Sequence, residues 1–332
     1  MVHLFIIEAE GLTKNFNGFT AVDGISFRVA QGEIFAFLGP NGAGKTTTIN
    51  MLTGLARISA GTIRLGGWDY ALKGSLKKAQ QRMGIVPDES NLYEELDGFN
   101  NLCFCASLYG MGKPEREKRA QELLKQFNLE AAGKRPFRAY SKGMKRKLTL
   151  AAGIIHQPEV LFLDEPTTGI DVESARQIRS LIQQLNKAGT TIFLTTHYIE
   201  EAERLCRRLA FIVEGRIVRQ GGLAELMEEG QGDYIVQFIL DDGGAKHAVE
   251  QELPAALAAR FPHTEINIHG DREVRVTSSV PLELAPLIEI FSNYHLPVFE
   301  AKIMRPTLED VFVRITGIEA ARLKKEKEGK KG

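Results

Sequence analysis

The residues best able to do chemistry are Gly39-Pro40-Asn41-Gly42-Ala43-Gly44-Lys45-Thr46-Thr47. They fit G-x-x-x-x-G-K-[ST] at every fixed position. Glycines at this spacing let the backbone wrap an anion and turn successive N–H groups inward. The lysine supplies a point charge for the β and γ phosphates of a nucleotide, and the Thr46 hydroxyl suits Mg²⁺. A second group closes an apolar run in Leu163-Asp164-Glu165-Pro166. Asp164 is placed to hold Mg²⁺ through a water or the Thr46 shell. Glu165 is the natural general base for water aimed at a γ-phosphate. His197 closes the next apolar run and is a candidate contact for γ-phosphate oxygens, beside the plainer reading of a packed or capping histidine.

These groups need strands and helices that end where they stand. Ile34-Phe35-Ala36-Phe37-Leu38 is an apolar run of strand type. Thr48-Ile49-Asn50-Met51-Leu52 reads as the helix after the loop, with Gly54 placed to end it. The helix N-terminus adds its positive end to the anion site. Val160-Leu161-Phe162-Leu163 and Thr191-Ile192-Phe193-Leu194 read as buried strands. Asp171 to Lys187 reads as a helix between them, with Val172, Ala175, Ile178, Ile182 and Leu185 inward and Asp171 as its cap. Strands alternating with helices predict a mostly parallel sheet covered on both faces.

From about Asn91 to Gln157 the texture is helical. Leu102, Cys105, Leu108 and Tyr109 have helical spacing. Pro114 to Phe127 carries Ala120, Leu123, Leu124 and Phe127 on one side, and Lys147 to Ile155 reads as a further apolar helix. Gly221-Gly222 marks the expected domain boundary, and short strands and helices follow it. The lysine-rich end, Lys324 to Lys331, reads as a solvated tail, with a membrane-surface or nucleic-acid role as the lesser reading.

The chain has 332 residues, more than one typical core. Its formal net charge is zero, so no overall basic field points to nucleic acid. Cys103, Cys105 and Cys206 show no metal-ligand spacing and read as buried thiols of a reducing compartment, with a disulfide second. No apolar run reaches the length of a membrane span. The opening Val2-His3-Leu4-Phe5-Ile6-Ile7 is too short for a signal-peptide core and reads as a first strand.

Between the two halves of the site stands Tyr140-Ser141-Lys142-Gly143-Met144-Lys145-Arg146-Lys147. This order of motifs resembles the nucleotide-binding subunits of ABC transporters, over about residues 4–220. The resemblance implies a P-loop NTPase (RecA-like) α/β core with an inserted helical subdomain, plus a small C-terminal α/β accessory domain. The implied limits are 1–220 for the ATP-binding domain, about 90–157 for the helical subdomain, 221–318 for the accessory domain and 319–332 for the tail.

The resemblance also implies that Ser141 and Gly143 bind the γ-phosphate held by an opposite subunit. Asp171 belongs to the loop linking the two sites, and Phe16 falls where an aromatic ring stacks on adenine, with a plain core residue as the alternative. The lid glutamine of the family is Asp88 here. That places Asp88 among the catalytic and metal candidates, while its short anionic side chain leaves direct metal contact open and Glu89 as a substitute. Lys142 stands at a usual glycine and faces either phosphate or solvent; Thr168 stands at a usual serine. Pro306-Thr307-Leu308-Glu309-Asp310-Val311-Phe312 resembles the accessory domain of exporter-type subunits paired with six-helix permeases of the ABC-2 type. The implied protein is an ATPase using ATP and Mg²⁺. It would pair with a second ATPase subunit and an integral-membrane permease at the cytoplasmic face of the membrane, without nucleic acid. The alternative is a soluble, non-transport ABC ATPase acting on DNA or ribosomes. Such proteins usually carry two such domains or a long coiled coil, and this chain has one phosphate loop and no sustained heptads.

Overall fold

Alternating apolar and polar residues, broken by Asn17-Gly18, fold as a hairpin of β1 (Phe5–Phe16) and β2 (Phe19–Ala30). Asn17 and Gly18 both have positive φ, 43° and 91°, as a tight two-residue hairpin turn requires. The computed structural model describes residues 5–229, 234–241, 253–262, 264–269, 273–304 and 307–318. Val2, His3 and Leu4, Asp233, Pro306 and the lysine-rich tail lie outside the described residues.

The fully apolar run becomes β3 (Ile34–Leu38), buried along its whole length. The phosphate loop then delivers α1 (Lys45–Leu52). A second hairpin, β4 (Ala60–Leu65) and β5 (Trp68–Asp69), joins the first in an antiparallel sheet of order β2-β1-β4-β5. After α2 (Ser75–Gln80) and β6 (Met83–Val86) the helical block begins. It comprises α3 (Gly98–Leu108), α4 (Lys113–Gln126) and α5 (Lys142–Gly153). The expected stripe of α4 is buried at Ala120, Leu123 and Leu124, with Phe127 just beyond it. That of α3 is not: Leu102 is buried but Leu108 and Tyr109 are exposed. Asn101 is buried instead, because its amide is satisfied by the carbonyls of Tyr93, Leu96 and Asp97. Helix α5 starts well before Lys147, since Ser141 caps it by accepting from the Met144 N–H at 3.3 Å.

The α/β pattern resumes with β7 (Val160–Asp164), α6 (Val172–Lys187), β8 (Thr191–Thr196), α7 (Ile199–Leu205), β9 (Arg208–Val213), β10 (Arg216–Gly222) and α8 (Leu223–Glu229). Val172, expected inward, is the first residue of α6 and is 84% exposed. Ala175, Ile178, Leu181 and Ile182 form its buried face. The central sheet has the order β10-β9-β3-β8-β7-β6 and is parallel except for the β9–β10 hairpin. Gly221 and Gly222 are paired at the end of β10. Phe27 of β2 packs among Phe35, Phe37 and Phe193, so the two sheets share one aromatic-rich core with α1.

The chain divides into two compact units: one running up to Glu225 and regained from Ile315, the other Leu226–Arg314. The second unit holds β11 (Tyr234–Leu240), α9 (Leu253–Arg260), β12 (Thr264–His269), β13 (Glu273–Ser278), α10 (Leu284–Asn293) and β14 (Val298–Met304). Then α11 (Leu308–Thr316) follows. The antiparallel order β12-β13-β11-β14 is the split β-α-β arrangement of ferredoxin-like folds. Val236, Phe238, Val274 and Val276 pack against Leu257, Leu287 and Phe291 to form its core. All three cysteines are free. Cys206 is buried, but Cys103 and Cys105 are only half-buried. Among the described residues, no helix is long and apolar enough to cross a membrane.

Candidate nucleotide site

Three adjacent parallel strands, β3, β8 and β7, end on one edge of the central sheet. That edge is where open parallel sheets place ligands. The loop after β3 carries Lys45, the turn after β7 carries Glu165, and His197 follows β8. Gly44 caps α1 at φ 95°, and a Cβ there would meet the Ala21 carbonyl oxygen at 2.6 Å. Only glycine fits both the backbone angle and the close approach.

A cleft of about 370 Å³ opens over the loop. Phe16, Phe19, Ala21, Asn41, Gly42, Gly44, Lys45, Thr46, Thr47, Asp88 and Glu165 line it. Phe16 is 48% exposed, so the alternative of a plain core residue does not hold. Phe19 stands opposite it in the hairpin register and adds a second ring to the cleft. The sequence reading overlooked Phe19, although a two-residue Asn-Gly turn puts its flanking residues side by side. Lys14 Nζ lies 4.6 Å from the Phe16 ring centroid.

The Lys45 ammonium donates to the carbonyls of Gly39 at 2.7 Å and Pro40 at 3.1 Å. It also forms an ion pair with Glu165 Oε1 at 3.1 Å. The other oxygen, Oε2, accepts from His197 Nδ1 at 2.7 Å, the His197 N–H at 3.4 Å and the Thr168 hydroxyl at 3.2 Å. Thr168 thus supplies the hydroxyl that a serine would. Burial pushes the Glu165 carboxyl up; the His197 hydrogen bond and the Lys45 charge outweigh that and hold it below the ordinary range. His197 is not among the residues that line the cleft, and its Nδ1 reaches Glu165 Oε2 at 2.7 Å.

Glu165 has φ 48°, a left-handed conformation unusual for a residue with a side chain. Asp164 Oδ1 accepts from the Thr195 hydroxyl at 2.5 Å, which fixes that carboxylate at the end of β7. The Thr46 hydroxyl and the Asp164 carboxylate are hard oxygen donors. They fit Mg²⁺, which takes one or two carboxylates and leaves its other positions to phosphate and water. Asp88 lines the same cleft, and burial raises its carboxyl pKa against the opposing charge of Arg146.

Ser141, Gly143 and Asp171 are brought together, but elsewhere. Asp171 caps α6 by accepting from the Ser174 N–H at 2.8 Å, and the Ser174 hydroxyl donates to its other oxygen at 2.6 Å. These bonds hold the Asp171 carboxyl below its ordinary range. A Cβ on Gly143 would lie 2.2 Å from Ser174 Oγ, so the start of α5 packs directly on that pair. None of the three lines the cleft of its own chain.

Two buried charges were not anticipated. Arg146 of α5 bonds to the Glu165 turn and the Asp88 loop. Glu201 of α7 accepts from the Thr167 hydroxyl at 2.9 Å, and burial pushes its carboxyl up to about 7. Neither residue stands in a spacing that marks it in the sequence.

A family profile described as "ABC transporter" matches residues 22–168. The chain is 34% identical over 315 residues to the linearmycin resistance ATP-binding protein LnrL of Bacillus subtilis, covering 94% of this chain and 98% of that one. It is 38% identical over 315 residues to the Nod factor export ATP-binding protein I of Ralstonia nicotianae, covering 95% and 94%. A bacterial ABC transporter cassette solved as a dimer superposes with a TM-score of 0.61 at 25% identity, over 65% of this chain and 98% of that one.

Proposed function

The chain belongs to the ATP-binding subunits of ABC transporters, and from that premise we propose that it powers export through a separate permease from a two-copy site built as follows. The observation that carries the reading is the division of the motifs. The cleft is lined by the phosphate loop, two exposed rings and Glu165, while Ser141 and Gly143 are not part of its lining. One chain therefore offers half of two sites, and a second copy placed head to tail completes both.

Each residue then has a task. Phe16 and Phe19 stack on the adenine ring. The loop amides and Lys45 hold the phosphates; Thr46 and Asp164 would hold Mg²⁺, which would supply positive charge against that of the phosphates. Glu165 takes a proton from the attacking water as its oxygen bonds to the γ-phosphorus and the bond to ADP breaks. His197 holds Glu165 in place through Nδ1. Asp88 sits at the lid of the site, and the segment from Asp88 to about Phe99 passes closure to the permease. The unit after Glu225 serves as an accessory domain. The assembly works at the cytoplasmic face of the membrane, held there by the permease. The relatives' names speak of linearmycin resistance and of Nod factor export, and the export reading takes its direction from them.

The test is complementation. Lys45→Ala and Ser141→Arg chains are each expected to lack ATPase activity. Mixed, they form dimers with one intact site and regain turnover. A mixture as inactive as its components, from variants that still dimerise, refutes the shared site.

A further inference from the structure

Arg146 is only 7% exposed, yet none of its hydrogen bonds goes to a carboxylate. Its five N–H groups meet five main-chain carbonyls. Nε donates to Pro166 O at 2.8 Å. Nη2 donates to Asp164 O at 2.6 Å and Glu165 O at 2.5 Å. Nη1 donates to Asp88 O at 2.9 Å and to Pro87 O. Three donors hold the turn that carries Glu165, and two hold the loop that carries Asp88.

We infer that Arg146 is a positioning residue for ATP hydrolysis: it fixes the left-handed Glu165 turn and ties that turn and the Asp88 loop to the signature helix α5. The inference rests on the reading of Glu165 as base and of Ser141 and Gly143 as the half-site for a second copy.

Two features carry it. Glu165 stands at φ 48°, and the carbonyls of Asp164, Glu165 and Pro166 all accept from the one guanidinium. Such a backbone persists only where its surroundings over-determine it, and the guanidinium fork supplies three of the constraints. The same turn aims the Glu165 carboxylate at Lys45 and His197. Second, Arg146 lies five positions after Ser141 on one helix, so displacement of that helix moves the guanidinium with it. The helix has further ties to the lid loop: the Thr149 hydroxyl donates to Ser90 Oγ at 2.8 Å, and Lys145 pairs with Glu94 at 3.4 Å.

Engagement of Ser141 and Gly143 by the partner copy's nucleotide thus bears on the base of the chain's own site through one rigid side chain. Lysine cannot replace it, because three donors on one nitrogen cannot span two loops.

The experiment compares the full chain with Arg146→Lys and Arg146→Ala, reading melting temperature, affinity for a fluorescent ATP analogue, kcat and KM. A misplaced base costs about 100-fold in rate. The expected result is a fall of about that size in kcat for both variants, with nucleotide affinity within about twofold of the parent. Millimolar guanidinium, but not methylammonium, restores part of the Arg146→Ala rate. Parental kcat in Arg146→Lys overturns the inference. So does a loss of affinity and melting temperature in step with kcat, which marks a purely structural role. Should Arg146→Ala not fold, Arg146→Lys decides on the same criteria. A parent chain without ATP turnover refutes the ATPase reading itself, which separates the two failures.

Discussion

Replacing Glu165 by glutamine keeps size and shape, keeps an oxygen for His197 and Thr168, and removes the negative charge. The carboxyl lies below its ordinary range, because the His197 hydrogen bond and the Lys45 charge outweigh the upward push of burial. It is therefore ionised at neutral pH and competent as a base. General-base assistance contributes about 10² to 10⁴ in rate, so kcat is expected to fall by that factor. Binding goes the other way. Without nucleotide, Lys45 sits 3.1 Å from Glu165 Oε1. At an effective dielectric of about 20 that attraction is about 5 kcal/mol before desolvation is counted. Incoming phosphates compete with Glu165 for Lys45, so the neutral variant binds ATP at least as tightly as the parent. ATP-loaded dimer then accumulates, since binding persists while hydrolysis does not. Phosphate release, a fluorescent-ATP titration and sedimentation with and without ATP check the three parts. Turnover near the parental rate would falsify the assignment of the base. A tenfold weaker affinity would show that the Lys45–Glu165 pair holds the loop together rather than competing with substrate.

Phe16→Ala removes one face of the adenine platform, and base–aromatic stacking is worth about 1–3 kcal/mol. ATP affinity is expected to fall by about 5- to 150-fold while Phe16→Tyr stays near the parent, and a titration showing equal affinity for all three proteins removes the stacking role. Glu201 carries a carboxyl raised from 4.5 to about 7 by burial. A folded-state pKa above the unfolded one means that the folded chain binds more protons between those values, so stability is full below about 4.5 and declines as pH rises to about 7. Glu201→Gln does not titrate. Its stability relative to the parent should therefore grow by about 2–3 kcal/mol between pH 5 and pH 8, read from urea unfolding at both pH values. A pH-independent difference contradicts it.

The residues fixed by local backbone demands were legible without a structure. A phosphate loop needs glycine where φ is positive and where another backbone comes within reach, as at Gly44. A buried parallel strand needs an unbroken apolar run, as in β3, β7 and β8. A helix start needs a capping side chain, as at Asp171. These demands act over a few residues, so spacing alone named the loop, the Asp164–Glu165 pair and the succession of strands along the chain. Other features depended on elements far apart in sequence. Arg146 reaches the carbonyl of Pro87, 59 positions away, and that of Pro166, 20 positions away. A long side chain in a run of Met144-Lys145-Arg146-Lys147 gives no local sign of which neighbour is buried. His197 meets Glu165 because β8 lies beside β7, a matter of sheet order. Gly143 and Asp171 meet through the packing of α5 on α6, away from the loop they serve. Period and spacing determine which elements form and which residues can bind phosphate. The partner of a buried charge is decided only when sequence-distant elements pack, because nothing else removes water from it.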